Sequence, residues 1–117
     1  LKSIIHKVHI DIYKTTVFVS FDKEALVKKF DLDFSDDAGG SVFILKNGNL
    51  ALWLPHRSYT LNVSDAAHEC YHIADFIADR VGLVVQENTG NGHIAYLVGY
   101  MMDRVFDCVA AEEKMFS

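Results

Sequence analysis

The feature that most constrains this chain is a change of hydrophobic period near residue 64. Before it, apolar residues alternate, as over 4–13, or form short unbroken runs, as over 41–46 and 50–54. After it, they recur every three to four. A strand-rich first half followed by a helix-rich second half, within 117 residues, predicts one α+β domain over 1–117. Half of the residues are hydrophobic, enough for one modest core. The expected architecture is a small antiparallel sheet with a hairpin, followed by a helix carrying polar chemistry and a long C-terminal helix.

Over 4–13, Ile4, His6, Val8, Ile10 and Ile12 fall on one side of a strand, with Lys7, His9 and Asp11 on the other. Residues 15–21 are β-branched and aromatic and predict a second strand. Asp22 is placed to cap a short helix whose apolar side is Ala25, Leu26, Val27 and Phe30. Residues 31–40 are acidic, end in Ala-Gly-Gly and read as a loop. The apolar runs 41–46 and 50–54 are joined through Asn47-Gly48, a pair that accepts the positive φ angles of a tight turn. Pro55 ends the second run.

Beyond the change of period, Ser64 and Asp65 are N-cap candidates. Ala66, Cys70, Ile73, Ile77 and Val81 follow at helical spacing, and Gly82 is a C-cap candidate. Residues 86–92 read as a polar loop. A last helix over about 93–111 has a core face of Ile94, Leu97 or Val98, Met101, Val105, and Cys108 or Val109.

The net charge of −5 and a pI near 5.6 argue against a nucleic-acid partner, whose backbone demands a basic face. Lys28–Lys29 is the one tight basic pair. No run approaches the roughly 18 apolar residues of a membrane span, so no membrane role is expected. The first eleven residues lack the continuous apolar run of a secretory signal, which makes a cytoplasmic location the expectation. Cys70 and Cys108 are the two cysteines, each inside an apolar helical pattern, and read as buried free thiols.

The chemistry lies in His68-Glu69-Cys70-Tyr71-His72, an HExxH sequence. Four residues along a helix turn by about 40° and rise about 6 Å, so both imidazoles can converge on one tetrahedral metal. Glu69 lies beside them, where a metal-bound water would sit. Zinc lowers the pKa of such a water toward 7, and a carboxylate can take its proton as it attacks a carbonyl. His68, His72, Asp75 and Asp79 share one stripe of the helix, nearly opposite Cys70, Ile73 and Ile77.

A hydrolytic zinc site normally has three protein ligands. Three residues are candidates for the third: His93 at the start of the last helix, Glu87 in the preceding loop, and His56 after the hairpin. His93 is preferred, because the first turn of an antiparallel following helix can face back onto the metal, and Gly92 allows close approach. Tyr96 and Tyr100 follow His93 on a similar face, and either hydroxyl is a candidate to stabilise an oxyanion. Asp75 is a candidate to orient a ligand imidazole. Trp53 reads as core or cleft wall.

The stretches AAHECYHIADFIADRVG (66–82) and HIAYLVGYMMDRVFD (93–107) resemble a zincin metallopeptidase, and more narrowly the small, often phage- or prophage-encoded zinc peptidases. The resemblance implies Zn2+ held by His68 and His72, with Glu69 as general base. It also implies that the strand ending in Ala51-Leu52-Trp53-Leu54-Pro55 lies above the metal helix and pairs with an extended peptide. Two departures stand out. The glutamate-type branch takes its third ligand from an ExxA pattern; Ala95 matches its Ala, but Gly92 stands where the Glu would be. The longer HExxHxxGxxH pattern is also missing, with Asp75 at its Gly and Ala78 at its last His.

The expected function is therefore zinc-dependent hydrolysis of a peptide or protein substrate. The alternative is a non-catalytic binding or inhibitor protein, phage-encoded, on the same scaffold. The absence of Glu at position 92 favours that alternative.

Overall fold

The computed structural model describes residues 4–34, 39–57, 60–82 and 92–116. Strands β1 (His6–Ile10), β2 (Thr15–Ser20), β3 (Ser41–Ile44) and β4 (Leu50–Trp53) form one sheet in the order β1-β2-β4-β3. Helix α1 (Lys23–Phe30) joins β2 to the β3–β4 hairpin. A two-stranded ribbon, β5 (His56–Arg57) and β6 (Thr60–Leu61), leads into α2 (Val63–Arg80), and α3 (Gly92–Phe116) closes the chain. Among the described residues, no helix is long and apolar enough to cross a membrane.

The α+β class is as expected, but the sheet is mixed rather than antiparallel. The β1–β2 and β3–β4 pairs are antiparallel hairpins, whereas β2 and β4 run parallel, Val17 opposite Leu50 and Val19 opposite Leu52. A parallel neighbour needs a crossover, and α1 with β3 supplies it. Consequently β4 lies inside the sheet and is buried at all four positions. Its unbroken apolar sequence, Leu-Ala-Leu-Trp, is that of a strand covered on both faces.

Strand alternation divides the side chains between two layers. Val17, Val19, Leu50 and Leu52 join Cys70, Ile73, Ile77, Leu97, Met101 and Val105 in the main core under α2 and α3. Ala51 and Trp53 face the other way, onto Leu26 of α1 with Phe30, Phe34 and Phe43 around them. The 4–13 alternation holds only as far as Ile10. Asp11–Tyr13 form a 3₁₀ turn, closed by Lys14 in the left-handed region, and Ile12 is 82% exposed instead of facing the core.

The turn chemistry at residue 47 is as expected: Asn47 and Gly48 both have positive φ. Asp22 caps α1 by accepting from the Glu24 N–H. The cap of α2 is Asn62, which accepts from the Asp65 N–H, so Ser64 and Asp65 are the first-turn residues rather than the cap. Gly82, at φ +80°, follows the last turn of α2.

Helix directions follow from contacts at their ends. The end of α2 is tied down by Arg80, which donates to Thr15 Oγ1 and to the Gly48 carbonyl. Earlier on α2, Glu69 lies beside Gly40, which also neighbours Leu54 just past the end of β4. Helix α2 therefore runs opposite to β2 and β4. The end of α3 meets the start of β1 through a 2.7 Å contact between His6 Nε2 and Glu112 Oε2. Its start, at His93 and Tyr96, lies beside Ile10–Tyr13. The two helices are thus antiparallel, with α3 over β1 and α2 turned toward β3.

Candidate metal centre

Helix α2 presents three kinds of surface. Ala66, Cys70, Ile73, Ala74, Ile77 and Ala78 are buried against the sheet and α3. His68, His72, Asp75 and Asp79 are exposed. Glu69, one residue round the helix from His68, is only 7% exposed, although it is an ionisable residue. It turns toward β3, where Gly40 makes room for it. A Cβ on Gly40 would lie 2.8 Å from Glu69 Cγ and 3.0 Å from Leu54 Cδ2.

The two imidazoles converge. His68 Nε2 and His72 Nε2 are 3.1 Å apart, with ring planes at 80°. One ligand atom from each of His68, Glu69 and His72 can be chosen so that all lie within 4.8 Å of one another, and this is the sole such trio of metal-ligating types among the described residues. The spacing can be tested against zinc. Two nitrogens at 2.0–2.1 Å from a tetrahedral ion are about 3.3 Å apart, so the pair fits that ion with little movement. The same separation also suits an N–H···N bond between neutral imidazoles of opposite tautomers. Both arrangements need the rings turned toward each other, as they are.

The trio opens onto a groove between α2 and β3. One hollow, of about 410 Å³, is lined by Gly40, Val42, Phe43, Glu69, His72 and Asp33 among others. A second, of about 270 Å³, lies toward the start of α2 beside Gly39, Asp65, His68 and Glu69. Glu69 is common to both and is therefore at the junction. Comparison with family models, curated proteins and solved structures finds no match to this chain. What the site can do has to be read from its own geometry.

Three of the residues singled out in the sequence do not join the trio. His93, Tyr96 and Tyr100 line another groove, with His9, Ile10, Asp11, Ile12 and Tyr13. The reason is tertiary: α3 begins over the end of β1, on the side of α2 away from β3. His93 is half-buried, and its Nε2 is enclosed with no hydrogen-bond partner among the described residues. Tyr96 is 76% exposed, and the Tyr100 ring lies 5.2 Å from the Arg104 guanidinium. His93, expected as the third ligand, and Tyr96 and Tyr100, expected near an oxyanion, thus lie apart from His68, Glu69 and His72 in this structure. Gly92, the counterpart of the missing Glu, is exposed with open space where a Cβ would stand. Glu87 and the side chain of His56 lie outside the described residues. Asp75 is exposed, and no hydrogen bond joins it to an imidazole among the described residues.

The substrate-pairing strand also needs correction. Residues 50–53 hydrogen-bond to β2 on one side and β3 on the other, so β4 has no free edge. The outer strand beside Glu69 and His72 is β3. Trp53, 9% exposed, belongs to the α1-side core and not to the groove. Sequence reasoning missed Gly40 and Phe76 as parts of the site. The paired glycines at 39–40 were a legible signal, since a glycine beside a strand often marks close approach of another group.

The cysteines behave as expected. Cys70 and Cys108 are free and buried. Burial, with a smaller push from the Glu69 charge, raises the Cys70 thiol to about 12. Burial, followed by the Glu112 and Asp107 charges, raises Cys108 to about 11. Neither is a thiolate near neutral pH, so neither is poised as a ligand or nucleophile.

Proposed function

We propose that this chain is a zinc-dependent peptidase in which His68 and His72 hold the ion and Glu69 is the general base. The observation that carries the proposal is the 3.1 Å imidazole pair with a largely buried carboxylate beside it, facing a groove along the outer edge of β3, which pairs only with β4 among the described residues. Bound zinc would supply a water of lowered pKa and a Lewis acid for the carbonyl.

The chain's own residues do the rest. Glu69 accepts a proton from the attacking water and returns it to the leaving amine. Gly40 lies close against the Glu69 side chain, which limits its rotamers and keeps the carboxylate at the junction of the two hollows. The outer edge of β3 offers backbone N–H and C=O groups to a peptide, which adds as a further strand. Metal analysis, thermal unfolding and peptide hydrolysis test this together. The expected result is one zinc per chain, lost in His68→Ala and His72→Ala. Glu69→Gln should keep the zinc and lose about 100-fold or more of its hydrolysis. Absence of stoichiometric zinc, with no gain in melting temperature when zinc is added, would overturn the reading.

A second reading has one observation in its favour: apart from Glu69, no further metal-ligating side chain joins the imidazole pair among the described residues. On that reading the groove binds a protein partner without cutting it. A tight partner whose affinity is unchanged by Glu69→Ala would support it.

A further inference from the structure

The groove does not end at the trio. Phe76, one turn beyond His72, lines the hollow that contains Glu69 and His72 and also lines the next one along α2. That next hollow, of about 250 Å³, has Ile44 of β3 on one wall and Phe76 of α2 on the other. Leu50 and Ile77, both buried, form its floor, and Arg80 stands at its far end. Ile44 is 62% exposed and Phe76 37% exposed, so two large apolar side chains meet solvent across one gap. We propose that this compartment is a specificity pocket, selecting peptides with a large apolar side chain about two to three residues from the scissile bond. This rests on the peptidase reading and names the substrate class for it.

Spacing and direction follow from the fold. Phe76 lies about 6 Å along the helix from His72 and about 12 Å from His68. An extended peptide covers that distance in about two to three residues. Val42 of β3 faces the α2 layer and packs on its core, as the alternation of the strand requires. A peptide added at this edge therefore sends every second side chain to the α2 side. Strand β3 runs from Ser41, beside Glu69 and His72, to Ile44, beside Phe76. Antiparallel addition, the more stable ladder, puts the residues N-terminal to the scissile bond at Ile44 and Phe76.

The test uses the zinc-loaded full chain and dye-labelled peptides of Gly and Ser ending in a C-terminal hydroxamate, which anchors the register on the metal. A single Leu is moved from the first to the fifth position before the hydroxamate, and affinity is read by fluorescence anisotropy. Leu at the second or third position should tighten binding roughly 10- to 100-fold, the transfer value of one large apolar side chain. That gain should vanish in Phe76→Ala and in Ile44→Ser, and Ile44→Ser, outside the hollow that holds Glu69 and His72, should bind the all-Gly/Ser peptide as before. Ile44→Ser, at a site 62% exposed, should melt near the parent temperature, which keeps the test clear of any loss of stability in Phe76→Ala. A flat scan, or a Leu preference that survives both substitutions, would overturn the pocket while leaving the peptidase reading standing. Failure of every hydroxamate to bind the zinc-loaded chain would remove both.

Discussion

Gly40→Ala is the sharpest probe of how Glu69 is held. Gly40 is not among the glycines at positive φ, so alanine meets no backbone penalty there and its effect is steric. The new Cβ would sit 2.8 Å from Glu69 Cγ and 3.0 Å from Leu54 Cδ2. Carbon atoms prefer about 3.5–4.0 Å, so the overlap is about 0.5–1 Å on two sides. Leu54 is 1% exposed and Glu69 7%, which leaves little room to yield. Overpacking of this kind costs about 1–3 kcal/mol. The stiffer unfolded chain returns about 0.4–1 kcal/mol. A net loss of about 1–2 kcal/mol lowers the melting temperature by roughly 4–12 °C in a domain of this size. If Glu69 is the base, its displacement by even about 1 Å should reduce turnover on the order of 100-fold. Zinc should still bind, because the atoms nearest the added Cβ belong to Glu69 and Leu54 and not to either imidazole. The matched control is Gly99→Ala in α3, where nothing lies within 4 Å of the added Cβ; it should stabilise by about 1 kcal/mol. Thermal unfolding, zinc content and peptide hydrolysis read all three effects. A Gly40→Ala chain as stable and as active as its parent would refute the argument that this close approach positions Glu69.

Other outcomes follow from the same geometry. His93→Ala should leave zinc content unchanged, since His93 lies in the groove by Ile10–Tyr13; loss of zinc would restore it as a ligand. Asn62→Ala removes the side chain that caps α2 and should cost about 0.5–2 kcal/mol in chemical denaturation. The Cys108 thiol ionises near 9.0 when unfolded but only at about 11 in the fold. The native state thus holds a proton that the unfolded chain releases, and stability should fall as pH rises from about 9 through 11. A Cys108→Ala chain should lose part of that alkaline slope in pH-dependent unfolding; an unchanged slope would show that this thiol does not contribute to it.

Local structure was legible where one short-range rule acted alone. Asp22 before the α1 segment, Asn47-Gly48 in the hairpin and the spacing of Ala66, Cys70, Ile73 and Ile77 each specify their element with little help from the rest of the chain. The imidazole pair belongs to the same class, because helix geometry alone sets two residues four apart on one face. Ile12 failed because the alternation cannot announce the 3₁₀ turn that interrupts it. The cap fell on Asn62 and not on Ser64 or Asp65 because all three residue types cap helices well, and the choice depended on the ribbon that delivers the chain into α2.

The order of residues thus determined the α+β class, the helix that carries His68, Glu69 and His72, and the burial of both cysteines. These depend on contacts within a few residues, or on one face being apolar. Tertiary structure decided which strand forms the outer edge and which groups reach the trio. The parallel β2–β4 pairing moved β4 inside and β3 to the rim. The placement of α3 over β1 took His93, Tyr96 and Tyr100 to the opposite side of α2. Such choices arise when separate elements compete to bury their apolar faces, and no local spacing records the winner.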